Sequence, residues 1–240
     1  MKNMILIVVF LLVSQVSLMA QGAATFHVFP QIADGSVGDG TAYITSVLAT
    51  NVNTLPATCT LRFYGVSIGR LSSASPATIT IPSQGSFAQW STTGNGNLLT
   101  GYASLTCDRP VTAGASYLEI LTSNSVVIAG ATVFSSPPTM RANIIVAEQP
   151  NVHTAFALAN DTDVAGQYQV TVTDASTGQT RSATITVPAR SNFPKYVNQI
   201  VQLPQQFSGT AVITSTSGPF SLVGLAYIWS IFVSLPATTY

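Results

Sequence analysis

Apolar and polar residues alternate in short runs along most of the chain, and clusters of Gly, Pro, Asn and Ser separate these runs. Alternation with a period of two is typical of β-strands that bury one face, and the β-branched residues in these runs favour the same structure. No stretch beyond residue 20 has the period of an amphipathic helix. The pattern predicts an all-β fold, with strands at residues 25–30, 42–50, 57–64, 77–81, 86–90, 100–107, 115–121, 125–133, 141–147, 154–160, 166–174, 181–187, 192–197, 208–215, 220–228 and 230–235.

The second half of the chain repeats the pattern of the first half. The segment ATITIPSQGSFAQW from Ala77 recurs as ATITVPARSNFPKY from Ala183, and CTLRFYG from Cys59 aligns with YQVTVTD from Tyr168. Two copies indicate a duplicated domain rather than a solenoid, which needs about three repeats or more. The predicted organisation is a signal peptide at 1–20, β-sandwich domain 1 at 25–134, a Pro-rich linker at 135–140 and β-sandwich domain 2 at 141–236.

The first twenty residues have the three-part layout of a secretory signal. Lys2 precedes an apolar run from Met4 to Val13, and small and polar residues follow. The run is shorter than the about 20 residues of a membrane span. We expect cleavage after Ala20 or, as a second choice, after Ala24, and a retained N-terminal anchor is the alternative. The chain is therefore predicted to be exported, and to be secreted or held at the cell surface or in the periplasm.

Both cysteines of the chain lie in strand-like runs. Cys59 alternates with Leu61, and Cys107 alternates with Leu105, so each thiol is expected on the apolar face of its strand. Two inward-facing thiols in one domain of an exported protein predict a disulfide bond. The alternative is a pair of buried free thiols that act as small apolar side chains.

Two aromatic residues follow the repeated strand in each copy. They are Phe87 and Trp90 in the first copy, and Phe193 and Tyr196 in the second. Because the pairs recur at the same position, they are interpreted as core residues. An aromatic-lined sugar groove is the functional alternative.

The charge of the chain limits its partners. The formal net charge is zero, and only 7% of the residues are charged, against about 25% in a typical soluble protein. The eight Lys and Arg residues form no cluster. Nucleic-acid binding and electrostatic membrane binding both need a basic patch, so neither is expected.

Residues of catalytic type occur, but no local signature joins them. The segment GVSIG at 65–69 fits the G-x-S-x-G pattern of a nucleophile elbow, which needs a helix after the serine. The residues that follow do not favour a helix, and we interpret the segment as a hairpin turn. His27 and His153 are the only histidines, and they lie in different copies. The chain is therefore predicted not to be an enzyme.

The loop NDTD offers oxygen ligands of the kind that Ca²⁺ prefers, from Asn160, Asp161 and Asp163. A calcium site needs about six to eight oxygens, and the loop lacks the ligand spacing of a dedicated site. We interpret it as a polar turn whose side chains cap the backbone, and we predict neither a metal nor another cofactor.

The order of several segments resembles a known group of proteins. These segments are FPQIADG, LATN, LANDT, TITVPARSNFPKYV, LPQQFSGTAVITSTSGPFSLVGLAY and FVSLPAT. They are similar to an uncharacterised group of exported bacterial proteins with tandem immunoglobulin-like β-sandwich modules, common in soil-dwelling lineages. The resemblance implies two tandem immunoglobulin-like antiparallel domains in an extracellular setting, and it implies no activity.

The closing hairpin of that group has a Gly- or Asn-rich tip, whereas this chain has Trp229 and Ile231 there. A projecting Trp229 would suit contact with a partner, and the alternative is a tryptophan folded back into the last core strands. The leading hypothesis is an exported, non-enzymatic protein with a structural, adhesion or surface-assembly role, whose partner is a protein or polysaccharide at the cell surface. A pair of carbohydrate-binding modules is the first alternative, and a hydrolase with an unrecognised site is the second.

Overall fold

The computed structural model describes residues 22–65, 76–91, 96–229, 231–235 and 237–239. These residues form two antiparallel β-sheets, and the one helical element among them is a 3₁₀ turn at Val197–Gln199. In this part of the chain, no helix has the length and apolar character that crossing a membrane requires. The predicted all-β class is confirmed. The predicted signal peptide and most of the GVSIG segment lie outside the described residues.

The first sheet is built from residues 24–134, which we call the N-terminal half. Its strands lie in the order β4-β3-β6-β1-β2-β5, and β7 pairs with β6. Because β6 pairs with β1 and β3 along its first part and with β2 and β7 along its last part, the sheet curls around its core and nearly closes into a barrel. The strands are β1 (Ala24–Ser36), β2 (Thr41–Asn51), β3 (Ala57–Tyr64), β4 (Ala77–Ile81), β5 (Ser86–Trp90), β6 (Leu99–Leu121) and β7 (Val127–Phe134).

The second sheet is built from residues 141–239, which we call the C-terminal half. Its order is β11-β10-β13-β8-β9-β14-β15, with β12 on β9 and β16 on β8. Only two residue pairs join β8 to β9, so the sheet folds there into two layers that enclose an apolar core. The strands are β8 (Arg141–Gln149), β9 (Val152–Asn160), β10 (Gly166–Asp174), β11 (Thr180–Val187), β12 (Ser191–Tyr196), β13 (Phe207–Ser215), β14 (Ser221–Ile228), β15 (Ile231–Leu235) and β16 (Thr238–Thr239).

The repeat in the sequence is also a repeat in topology and register. The order β4-β3-β6-β1 in the N-terminal half matches β11-β10-β13-β8 in the C-terminal half. Cys59 lies opposite Cys107 on β6, and its sequence counterpart Tyr168 lies opposite Ser215 on β13. Equivalent residues of the two copies therefore occupy equivalent places in the two sheets.

The largest difference from the predicted strands is in β6. The segments 100–107 and 115–121 are separate strands in the prediction, but they belong to the single 23-residue strand β6. The pairing of β6 with β3 ends at Cys107, and its pairing with β2 begins at Val111. Pro110 lies where the neighbours change, so its missing N–H removes no ladder hydrogen bond. In the C-terminal half a turn separates the equivalent strands β13 and β14.

The two halves are joined by a buried apolar contact. Phe156 and Leu158 of β9 pack in the core of the C-terminal half, whereas Ala155 and Ala157 pack against the core of the N-terminal half. Small side chains on this face of β9 allow the sheets to approach closely. Val223 of β14 also packs in the N-terminal core, so the apolar cluster continues from one half into the other.

The linker at 135–140 is held to both halves. The Ser136 backbone N–H donates to the Val28 carbonyl of β1 at 2.8 Å, and the Ser136 hydroxyl accepts the Leu222 N–H of β14 at 2.9 Å. Thr139 forms an isolated bridge with Phe220. Motion of one half against the other would therefore break hydrogen bonds as well as apolar contacts.

The predicted disulfide bond between Cys59 and Cys107 is confirmed. It joins directly opposite residues of β3 and β6, and both cysteines are buried in the core of the N-terminal half. The described residues include no free cysteine.

Candidate functional site

An open cleft lies where the N-terminal sheet meets strands of the C-terminal half. Its volume is about 260 Å³. The N-terminal half contributes side chains from β1, β2 and β6, and the C-terminal half contributes side chains from β9, β12, β14 and β15. The cleft therefore exists only when both halves are in place.

Aromatic rings form much of the cleft wall. The rings of Tyr43 and Tyr117 meet edge to face at 5.7 Å, and Phe232 of the β14–β15 hairpin lies 6.1 Å from Tyr117. Tyr196 of β12 completes this set from the other side. Burial raises the pKa of Tyr43, Tyr117 and Tyr196, so their hydroxyls stay protonated and can donate hydrogen bonds.

Besides Thr100 and the tyrosine hydroxyls, the polar groups of the cleft are two amides and one cation. Gln31 and Gln199 line it, and the Gln31 Oε1 accepts a hydrogen bond from Asn192 Nδ2 at 3.1 Å. Lys195 also lines the cleft, and it has no ion pair with any described residue. The described lining contains neither Asp nor Glu. The cleft thus combines aromatic faces with a single positive charge.

The β14–β15 hairpin carries a second candidate site at its turn. Trp229 is 71% exposed and has a φ of +51°, and its N–H donates to the Asn151 carbonyl at 3.1 Å. Ile231, the first residue of β15, is 55% exposed. The alternative in which Trp229 folds back into the core is therefore wrong. The same hairpin supplies Phe232 to the cleft, so the two candidate sites are adjacent in the chain.

The four repeated aromatic residues divide into two kinds. Phe87 and Phe193 pack against the cores of their halves, as predicted. Trp90 is 47% exposed, and Tyr196 lines the cleft, so the core interpretation is wrong for the second member of each pair. Trp90 and the half-buried Tyr196 both lie at the ends of short strands that have a neighbour on one side only.

The two histidines lie in different halves and in different settings. His27 is 1% exposed, and its Nε2–H faces the Ala24 and Val111 carbonyls while its Nδ1 accepts from the Ser135 hydroxyl at 2.9 Å. Burial lowers the pKa of His27, which keeps the ring neutral. A serine beside a histidine has the atoms of a nucleophile and base, but a substrate has no access to this pair. Its effect is to tie the linker to β1.

His153 pairs with Glu148 across the turn between β8 and β9. The His153 Nδ1–H donates to Glu148 Oε1 at 2.5 Å, and Asn198 Nδ2 donates to the same oxygen at 2.8 Å. Within the described residues, neither His153 nor Glu148 lines the cleft, and no serine, threonine or cysteine side chain bonds to His153. The pair fixes the turn beside the cleft rather than forming a nucleophile–base arrangement.

The candidate calcium ligands come together around an arginine. Arg190 donates from Nη1 to Asp161 Oδ1 at 2.6 Å and from Nε to Asp163 Oδ1 at 2.9 Å, and its hydrogen bond lowers the pKa of Asp163. The Asn160 amide is engaged with backbone carbonyls. Tyr102 of the N-terminal half donates to Asp161 at 2.8 Å. Across the described residues, no group of three or more His, Cys, Asp or Glu side chains could hold a metal ion.

Comparisons with known proteins add little. No family model and no curated protein matches the chain. The chain is similar to the solved structure of the Anabaena sensory rhodopsin transducer, with 19% identity over 37% of this chain and 97% of that chain and a TM-score of 0.33. It is also similar to Thermotoga maritima 1070, with 10% identity over 42% of this chain and 91% of that chain and a TM-score of 0.33. At such TM-scores neither structure carries an argument about function.

Proposed function

We propose that this protein is an exported, non-enzymatic surface protein that takes part in adhesion or surface assembly. In this proposal the two halves are tandem immunoglobulin-like β-sandwich domains, and the turn of the β14–β15 hairpin, with Trp229 and Ile231, contacts a protein partner at the cell surface. The disulfide bond in the N-terminal half suits an oxidising compartment outside the cytoplasm.

The conformation and exposure of Trp229 carry this proposal. A φ of +51° is a left-handed conformation that glycine and asparagine adopt readily and that costs other residues about 1 kcal/mol. The side chain does not recover that cost by burial, because it is 71% exposed. Large, rigid aromatic side chains in such positions are effective contact residues, because they bury much area and lose little entropy on binding.

Fluorescence of the exported protein tests the contact. A Trp90→Phe variant leaves Trp229 as the only tryptophan, because the chain has two. We expect red-shifted emission that acrylamide quenches, and a blue shift with loss of quenching when isolated cell-surface protein is added. No spectral change with material from the source cell surface would contradict the proposal.

A second variant separates contact from folding. Trp229→Asn keeps a residue that tolerates the positive φ of the turn and removes the aromatic ring. It should retain the fold and lose retention on immobilised surface protein. The matched control is Trp90→Ala, which removes an exposed tryptophan from the equivalent of β12 in the N-terminal half and should leave retention unchanged.

A further inference from the structure

We propose that the cleft between the halves is a saccharide-binding site selective for a sugar that carries a carboxylate, such as a uronic acid residue. This site is separate from the hairpin turn and does not depend on a protein partner there. The features that point to it are the aromatic wall, the hydroxyl and amide groups of the lining, and the ammonium of Lys195, which has no ion pair with a described residue.

The aromatic wall suits the faces of a sugar ring. A pyranose has C–H groups on its faces and hydroxyls around its edge, so it packs flat on aromatic side chains while its edge forms hydrogen bonds. Tyr196 and Phe232 are half-buried and can offer ring faces, whereas Tyr117 is 5% exposed and lies behind Phe232 in the wall. The volume of about 260 Å³ is near the lower limit of about 300 Å³ for small-molecule pockets. The site therefore fits a single sugar ring, with the rest of a chain outside.

The polar groups suit hydroxyls rather than a purely aromatic ligand. No hydrogen bond joins the Tyr43, Tyr117 or Tyr196 hydroxyl to another described residue. Each of these groups can both donate and accept, and Gln199 adds an amide that does the same. A ligand without hydroxyls would leave these groups unpaired, which costs binding free energy.

The positive charge of the cleft favours a sugar that carries a carboxylate over a neutral sugar. Lys195 is the only charged residue in the described lining, and no described carboxylate pairs with it. Glu148 accepts hydrogen bonds from His153 and Asn198 through Oε1, its Oε2 is buried without a partner among the described residues, and it does not line the cleft. A carboxylate on the sugar would complement Lys195 by a charge-assisted hydrogen bond.

Calorimetric titration of the disulfide-bonded protein tests the proposal. The probes are an oligosaccharide of glucuronic acid, free glucuronic acid, the matching glucose oligosaccharide, and benzoate as a carboxylate that is not a sugar. We expect the uronic acid probes to bind most tightly, with affinity that falls as salt is added. Binding of the oligosaccharide alone would assign the site to a chain, and binding of both uronic acid probes would assign it to the single residue. Equal binding of glucose and glucuronic acid probes, tighter binding of benzoate, or no binding of any uronic acid probe would overturn it.

Two exposed or half-exposed positions give variants that are expected to fold. Lys195→Gln should weaken uronic acid binding about fivefold or more and leave binding of the glucose probe unchanged. Tyr196→Ala should weaken both by about tenfold. The matched control is Trp90→Ala, because Trp90 is the counterpart of Tyr196 in the other copy and does not line the cleft. An equal loss with Trp90→Ala, or no loss with Lys195→Gln, would refute the site. The retention assay with Trp229→Asn tests the protein contact at the hairpin turn, and its outcome does not depend on these sugar titrations.

Discussion

The two halves carry the same buried asparagine in the same surroundings, but they hold their central strands together by different means. In the N-terminal half Asn51 is the last residue of β2 and is fully buried. Its Nδ2 lies 2.8–3.2 Å from three backbone carbonyl oxygens, and its Oδ1 accepts the N–H of Asn53 at 2.9 Å. The three carbonyls belong to Leu55, Ile81 and Pro82.

Asn160 repeats this arrangement at the end of β9. Its Nδ2 lies 2.8–3.1 Å from three carbonyl oxygens, and its Oδ1 accepts the Thr162 N–H at 3.2 Å. The carbonyls belong to Val164, Val187 and Pro188. Each asparagine thus joins the end of one strand to the end of another strand, where backbone carbonyls have no ladder partner.

The comparison teaches that this polar contact belongs to the repeated fold, whereas the means of holding the central strands together can change. The N-terminal half crosslinks β3 to β6 through Cys59 and Cys107. The C-terminal half has Tyr168 and Ser215 at the same register. Tyr168 is fully buried, its hydroxyl has no partner among the described residues, and burial raises its pKa to about 12.

Removal of the disulfide should give the largest difference between the halves. The Cys59→Ala/Cys107→Ala variant opens a loop with a sequence separation of 48 residues, and the chain-entropy model gives a loss of about 4 kcal/mol in the free energy of unfolding. Urea denaturation followed by circular dichroism measures the loss, and added reductant should not affect this variant. A midpoint equal to that of the oxidised parent would show that the N-terminal core holds β3 and β6 together without the crosslink.

Substitution of either asparagine should have the next largest effect, and the two effects should match. Asn51→Ala and Asn160→Ala each leave buried carbonyls without a donor, and we expect losses of about 3 kcal/mol in the free energy of unfolding. Asn53→Ala, which removes only a half-buried neighbour, is the control and should cost about 1 kcal/mol. A large loss of unfolding free energy for one asparagine variant and a small loss for the other would show that the two contacts are not equivalent.

Gly166 gives a smaller test that is specific to the C-terminal half. A Cβ at this position would lie 2.1 Å from the Tyr168 hydroxyl, whereas the N-terminal counterparts, Ala57 and Cys59, have no such conflict. Gly166→Ala should therefore cost about 2 kcal/mol by overpacking. In a Tyr168→Val background the same change should cost nothing, and this double-mutant cycle in urea isolates the contact. An equal cost in both backgrounds would assign the effect to the backbone instead.

The sequence was sufficient for most of the strands and for the disulfide bond, because both follow from local alternation. The boundary between the copies, at the linker 135–140, was predicted from the paired prolines, which are a local signal. It was insufficient for β6, because a proline ends a strand only where a ladder hydrogen bond is lost, and pairing partners are set by the whole sheet.

The cleft could not be read from the sequence for a related reason. Alternation puts Tyr43 and Tyr117 on the inner face of their strands, and both do pack against the N-terminal core. Tyr43 and Tyr117 also line the cleft, together with Tyr196 and Phe232 of the C-terminal half. Alternation within a strand does not show how two sheets dock, so this arrangement was not predictable from it. The alanines of β9 were the available signal, since a strand with small residues on one face and large residues on the other favours close packing on the small face.

The smallest expected effect concerns the two hairpin turns that close the halves. In the N-terminal half the turn between β6 and β7 is polar, with Ser125 at a φ of +58° and Asn124 accepting the Val126 N–H. In the C-terminal half Trp229 occupies the comparable left-handed position at a φ of +51°. Since asparagine tolerates this conformation, Trp229→Asn should raise the free energy of unfolding by about 1 kcal/mol, and Ser125→Asn should raise it by a similar amount.

The sign of the change in unfolding free energy on Trp229→Asn shows whether the tryptophan ring stabilises the fold or is free to contact a partner. If the exposed ring makes no stabilising contact within the molecule, its removal costs no stability. The change in unfolding free energy is then set only by how well each residue tolerates the positive φ. Thermal unfolding of both variants beside the parent measures it, and the Ser125→Asn variant shows how large the backbone term is in a turn without an aromatic residue. A destabilised Trp229→Asn variant beside a stabilised Ser125→Asn variant would mean that the ring packs on its own hairpin, and the case for a partner at this turn would then fail.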